Sequence, residues 1–157
     1  RLSECWNGYL ECARLLLEAG AAIDQADAEG VTPLLIACQE GQLECSRLLL
    51  EANAAVDQAD EEGATPLSAA SQTGKVDCVR LMIAAGAAVN QADAEGYTPL
   101  IMACLEGQLE CARLLLEAGA AIDQADVEGV TPLYMACQDG HLECVQLLLE
   151  TDADINQ

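Results

Sequence analysis

The sequence predicts an all-α solenoid, one domain of short antiparallel helix pairs joined by turns. Three observations carry this. First, the chain aligns with itself without gaps over residues 27–59, 60–92, 93–125 and 126–157. The first three units are 33 residues long and the last is 32, and residues 1–26 align with the back of the same unit. A fixed period of this size is the signature of a stacked-repeat architecture. Second, all 12 glycines and 4 prolines fall in columns of that repeat, so they act as punctuation. Third, the chain has no Phe. A core of Leu, Ile, Val, Ala and Cys suits thin, closely packed layers better than one thick globule.

Each unit can be read in order. The openings D-A-E-G-V-T-P-L, D-E-E-G-A-T-P-L, D-A-E-G-Y-T-P-L and D-V-E-G-V-T-P-L put a tight turn at Gly30, Gly63, Gly96 and Gly129. Thr32 is a helix N-cap, and Pro33 takes the first helical position, where a missing N–H costs nothing. Leu34 and Ala37 form a buried i, i+3 stripe, and Gly41 closes this first helix in the left-handed conformation. The second helix runs from Leu43 to Ala52, with Leu48 and Leu49 facing inward. Its terminator column reads Gly20, Asn53, Gly86, Gly119 and Asp152. Asn and Asp are the next residues after Gly that tolerate left-handed backbone. Helices this short are not stable alone in water, so each must bury its apolar face against the next unit.

The period, the G-x-T-P-L-x-x-A core and the stretch L-E-C-x-x-L-L-L-E-A-G-A-x-I/V-D resemble the ankyrin repeat. The resemblance covers essentially the whole chain, as four near-complete units and a partial one. It implies L-shaped units with β-turn fingers projecting from paired helices, and a concave groove between fingers and first helices that binds other proteins. The sequence departs from the family in several places. Leu35, Ser68, Ile101 and Tyr134 replace the usual histidine after T-P-L. The column Cys12/45/78/111/144 replaces a common Val. The first unit lacks its finger, with Glu4 where a buried Ala is expected. Neither end carries an obvious polar capping unit, so the expectation is a cut from a longer array.

Composition narrows the function. With 27 acidic and 6 basic side chains the net charge is −21, which argues against nucleic acid and against an anionic membrane surface. No apolar run reaches membrane-spanning length. The 9 cysteines form two columns, Cys5/38/104/137 and Cys12/45/78/111/144, and read as small buried hydrophobes. No C-x-x-C occurs and His141 is the only imidazole, so no metal site or cofactor is expected. Free thiols imply a reducing, intracellular compartment, cytoplasmic or nuclear. The acids at Asp24, Asp27 and Glu29 and their repeats suggest calcium loops, but the spacing is not that of an EF-hand, and Asp at the start of a turn closes it. Arg14, Arg47, Arg80 and Arg113 each follow an acid by three residues (Glu11, Glu44, Asp77, Glu110), as exposed helix pairs worth a few tenths of a kcal/mol. Catalysis finds no support. Ser3, Ser46, Ser68 and Ser71 have no His in a triad arrangement, and no Gly-rich phosphate loop exists.

The binding positions follow from the resemblance. On the fingers they are Ala28, Glu29, Val31, then Glu61, Glu62, Ala64, then Ala94, Glu95, Tyr97, then Val127, Glu128, Val130. At the ends of the first helices they are Trp6 and Asn7, Gln39 and Glu40, Gln72 and Thr73, Leu105 and Glu106, Gln138 and Asp139. Trp6 is the only Trp, and Tyr97 stands where other units have Val or Ala; large rigid aromatics are typical anchors. The expectation is a monomeric, non-catalytic scaffold whose acidic face, led by Glu29, Glu62, Glu95 and Glu128, favours a basic protein or peptide partner. The competing expectation is a structural spacer or a consensus-like engineered scaffold without a ligand, because the units are nearly alike where a dedicated binder would vary. Calcium-responsive finger loops are the minor third.

Overall fold

A computed structural model describes residues 10–153. Trp6 and Asn7 therefore lie outside the described residues, as do Cys5 and Glu4. Among the described residues nine helices and no strand are present. In chain order they are α1 (Leu10–Glu18), α2 (Pro33–Gln39), α3 (Leu43–Glu51), α4 (Pro66–Gln72), α5 (Val76–Ala84), α6 (Pro99–Leu105), α7 (Leu109–Glu117), α8 (Pro132–Gln138) and α9 (Leu142–Glu150). They stack in two rows. The first helices α2, α4, α6 and α8 pack in sequence, and α1, α3, α5, α7 and α9 form the second row behind them.

The first helices start as the sequence predicts. The side chains of Thr32, Thr65, Thr98 and Thr131 each cap the N–H three residues on, and Pro follows at the first helical position. In α4 the cap is reciprocal. Ser68 N–H donates to Thr65 Oγ1 at 3.1 Å, and Thr65 N–H donates to Ser68 Oγ at 2.8 Å. This is a capping box closed by Ser. Leu35 and Ile101 hold the same position and have no side-chain acceptor to return that bond, and Tyr134 has one only at the far end of its ring.

The second helices end one residue earlier than the sequence reading. Ala52, Ala85 and Ala118 are C-caps. The terminator column behaves as expected, with Asn53 and Asp152 at φ of 65° and 68° in the left-handed region. The core is two ladders of fully buried side chains, Leu34/Leu67/Leu100 from the first helices and Leu49/Met82/Leu115/Leu148 from the second. Burying each Leu contributes about 1.5–3 kcal/mol. Leu48 is only half-buried, which corrects its inward assignment. It packs at the edge of the core, and the helix twist gives the central place to Leu49.

Units are also joined by polar bonds. Ala55 N–H donates to Asp24 at 3.0 Å, Ala88 N–H to Asp57 at 3.0 Å and Ala121 N–H to Asn90 at 2.8 Å. The residues before α7 and α9 reach back instead of capping their own helices. Gln108 Nε2 donates to Gln72 O at 3.3 Å, and His141 Nε2 lies 2.9 Å from Leu105 O. A carbonyl only accepts, so that histidine nitrogen carries the proton.

Candidate partner-binding face

The fingers are built by one aspartate each. Asp60 Oδ1 accepts the N–H groups of Glu62 and Ala64 at 3.0 and 2.9 Å, while Gly63 N–H donates to Asp60 O at 3.1 Å. Asp27, Asp93 and Asp126 do the same in their own fingers. These carboxylates therefore spend an oxygen on turn closure. Among the described residues no cluster of three metal-ligating side chains occurs.

Successive fingers are bonded to one another. Glu61 N–H donates to Glu29 O, Ala94 N–H to Glu62 O and Val127 N–H to Glu95 O, each at 3.0 Å. The approach is close enough that a Cβ on Gly63 would sit 2.9 Å from the Cα of Asp93. Gly63 is thus required twice, for its positive φ of 89° and for this contact. The bonded fingers hold Glu29, Glu62, Glu95 and Glu128 in one exposed row.

Between the second and third fingers and the helices beneath them lies a groove of about 550 Å³. It brings together eight of the sequence-derived positions: Glu61, Glu62, Ala64, Gln72, Ala94, Glu95, Tyr97 and Leu105. Val31, Gln39, Glu40, Glu106, Val130, Gln138 and Asp139 are not part of it, although all are exposed or half-exposed. Sequence reasoning missed Met102, which lines the groove as a half-buried side chain. Helix geometry could have found it, because residues three apart share a face and Met102 precedes Leu105 by one turn. Asp93 was read as turn chemistry, with a calcium loop as the minor alternative, and it also lines the groove.

The described basic residues are confined to one row, alongside acids of their own. Arg14, Arg47, Arg80 and Arg113 lie on α1, α3, α5 and α7, and Lys75 immediately precedes α5. Three of these arginines sit 3.8–4.0 Å from Glu110, Glu44 and Glu11, on their own helices. Among the described residues no basic side chain lies on a finger or a first helix. The Tyr97 phenol reports the resulting field. Partial burial, then the carboxylates of Asp126, Glu95, Glu128 and Asp93, hold its proton above the ordinary value of 10.0.

The remaining reactive side chains are absorbed by the core. Ser46 and Ser71 donate to the carbonyls of Gln42 and Leu67 at 3.0 and 2.7 Å. Cys38, Cys45, Cys78, Cys104, Cys111 and Cys144 are buried. Burial pushes the Cys111 thiol up to about 11, with Glu110 adding to the shift. Cys137 departs from the expected burial of its column and is exposed. Its counterpart Cys38 is fully buried and donates to Ser46 Oγ at 3.7 Å. Tyr134 is likewise 55% exposed, while Leu35, Ser68 and Ile101 in its column are buried.

A family model described as ankyrin repeats, in three copies, matches residues 3–93 and again residues 82–157. No curated protein matches the chain. Among the described residues no helix is long and apolar enough to cross a membrane. The chain belongs to the ankyrin-repeat family, whose general role is protein–protein interaction and whose members are typically non-catalytic.

Proposed function

We propose that the chain is a monomeric, non-catalytic interaction scaffold, a single domain, that receives a basic protein or peptide segment along its finger face. The observation that carries this reading is the row of finger glutamates on a face that carries no described basic residue. The finger row and the groove present Glu29, Glu62, Glu95 and Glu128, and the described basic residues lie on or beside the other helix row. A surface of one sign attracts and orients a partner of the other. Buried thiols support a reducing, intracellular setting.

A Lys/Arg-rich peptide titrated at several salt concentrations tests the reading. Affinity should fall steeply with ionic strength. Reversing Glu29, Glu62, Glu95 and Glu128 to Lys should abolish binding without unfolding the chain, since all four side chains are exposed. Affinity indifferent to salt and to the reversal would sink the proposal. The competing reading is a spacer without a ligand, favoured by the repetition of Val at 31 and 130. It predicts that no basic peptide binds even at low salt.

A further inference from the structure

The four fingers are not equivalent. Residues 31, 64 and 130 are Val, Ala and Val, while residue 97 is Tyr, and the groove described above is walled by that ring. Its floor is apolar, with Met102 and Leu105 half-buried. Its rim carries Glu61, Glu62 and Glu95, all exposed. Among the described residues none of the three is within 4.0 Å of a basic nitrogen. Asp93 differs from them, because one of its oxygens already accepts two N–H groups of its own finger.

Aromatic wall, apolar floor and uncompensated carboxylate rim together describe a receptor for one kind of side chain. We propose that this groove is an anchor pocket for a single arginine of the partner segment, with the guanidinium stacked on the Tyr97 ring and bonded to rim carboxylates. Arginine fits better than lysine for three reasons. Its planar cation stacks on an aromatic face. Its fork of donors matches carboxylates two at a time. Its methylene stem can lie along Met102 and Leu105 while the charge stays at the rim. The volume is in the range of side-chain and small-ligand sites. Val or Ala at the equivalent position of the other fingers supplies no ring, so the pocket fixes the register of a basic segment that the rest of the face attracts only by charge. This rests on the reading of the finger face as a basic-segment surface.

The test uses three dye-labelled peptides, in which glycine alternates with arginine, with lysine or with neutral citrulline. Binding is followed by fluorescence anisotropy at low and moderate salt, and by the methyl resonances of protein labelled at methionine. The Tyr97→Val variant installs the residue found at 31 and 130, and its melting curve reports whether it folds. The arginine peptide should bind about 5-fold more weakly to Tyr97→Val and nearly unchanged to Tyr97→Phe. The lysine peptide should bind more weakly than the arginine peptide, and citrulline should not bind. The Met102 methyl, identified by its loss in Met102→Leu, should shift on binding while that of the fully buried Met82 stays still.

Salt-sensitive binding that is equal in wild type and folded Tyr97→Val would overturn the pocket and leave the acidic-face reading standing. Equal binding of the lysine peptide would overturn the choice of arginine. Failure of the wild type to bind any basic peptide at low salt would overturn both readings at once.

Discussion

At the residue scale, Tyr97 measures the field that the fingers create. Burial is the largest cause of its raised proton affinity, and the Asp126, Glu95, Glu128 and Asp93 carboxylates add to it. The folded chain therefore holds this proton more tightly than the unfolded chain. The associated stability is whole below the unfolded phenol value, near pH 10, and is lost as pH rises through the higher folded value. Phenolate absorbance, with a Tyr97→Phe titration subtracted to remove the other tyrosines, should show a midpoint above 10. Glu95→Gln together with Glu128→Gln should move that midpoint part of the way down, leaving the burial contribution in place. A midpoint at the ordinary value in wild type would mean that the ring stands in bulk water, outside the acidic field. The same ring shows where residue-level reading ran out. An aromatic among Val and Ala singled out position 97, but Met102 in the middle of α6 reads as core. Its place one turn before Leu105 was the signal that it shares the face lining the groove.

At the element scale, the second helices are well started and poorly finished. Glu11, Glu44, Asp77, Glu110 and Glu143 lie in their first turns, where a negative charge is favoured by the helix dipole. Their last turns carry no basic residue. Glu18, Glu51, Glu117 and Glu150 close four of the five instead, with the wrong sign for that end. Replacing Glu51, Glu117 or Glu150 by Lys should stabilise the chain by about 0.3–1 kcal/mol each at low ionic strength. Urea midpoints should rise with unchanged slope, and the gain should shrink in salt. No gain at low salt would mean that water around these exposed ends already screens the dipole. Helix starts and stops were legible in the sequence because one residue decides each of them. Thr32 with Pro33 begins α2, and Asn53 in left-handed backbone ends α3. Burial was less legible because a neighbouring unit decides it. Cys137 and Tyr134 look like their columns in sequence and differ from them in exposure.

At the scale of the whole molecule, two features of the repeat pull in opposite directions. Copying the unit copies its packing, so Leu34, Leu67 and Leu100 form one continuous ladder, and stability grows by nearest-neighbour contacts. Copying the unit also copies its finger acids, and the net charge reaches −21. Aligned rows of like charge repel along the full length of the stack, and this self-repulsion destabilises the compact state. The fold was legible because its period is explicit, whereas this opposing term appears only once the structure puts successive fingers in hydrogen-bonded register. The range of the repulsion depends on salt, with a screening length of roughly 30 Å at 0.01 M and about 8 Å at 0.15 M. Sodium chloride raised between those concentrations should therefore increase the melting temperature by about 3 °C, which for a chain of this length corresponds to about 1 kcal/mol. A variant with the four row glutamates changed to Gln should start higher and gain less. If both melt alike at every salt concentration, the acidic row costs the fold nothing. Its repetition would then reflect only the copying of a turn, without the destabilisation that a surface kept for binding would carry.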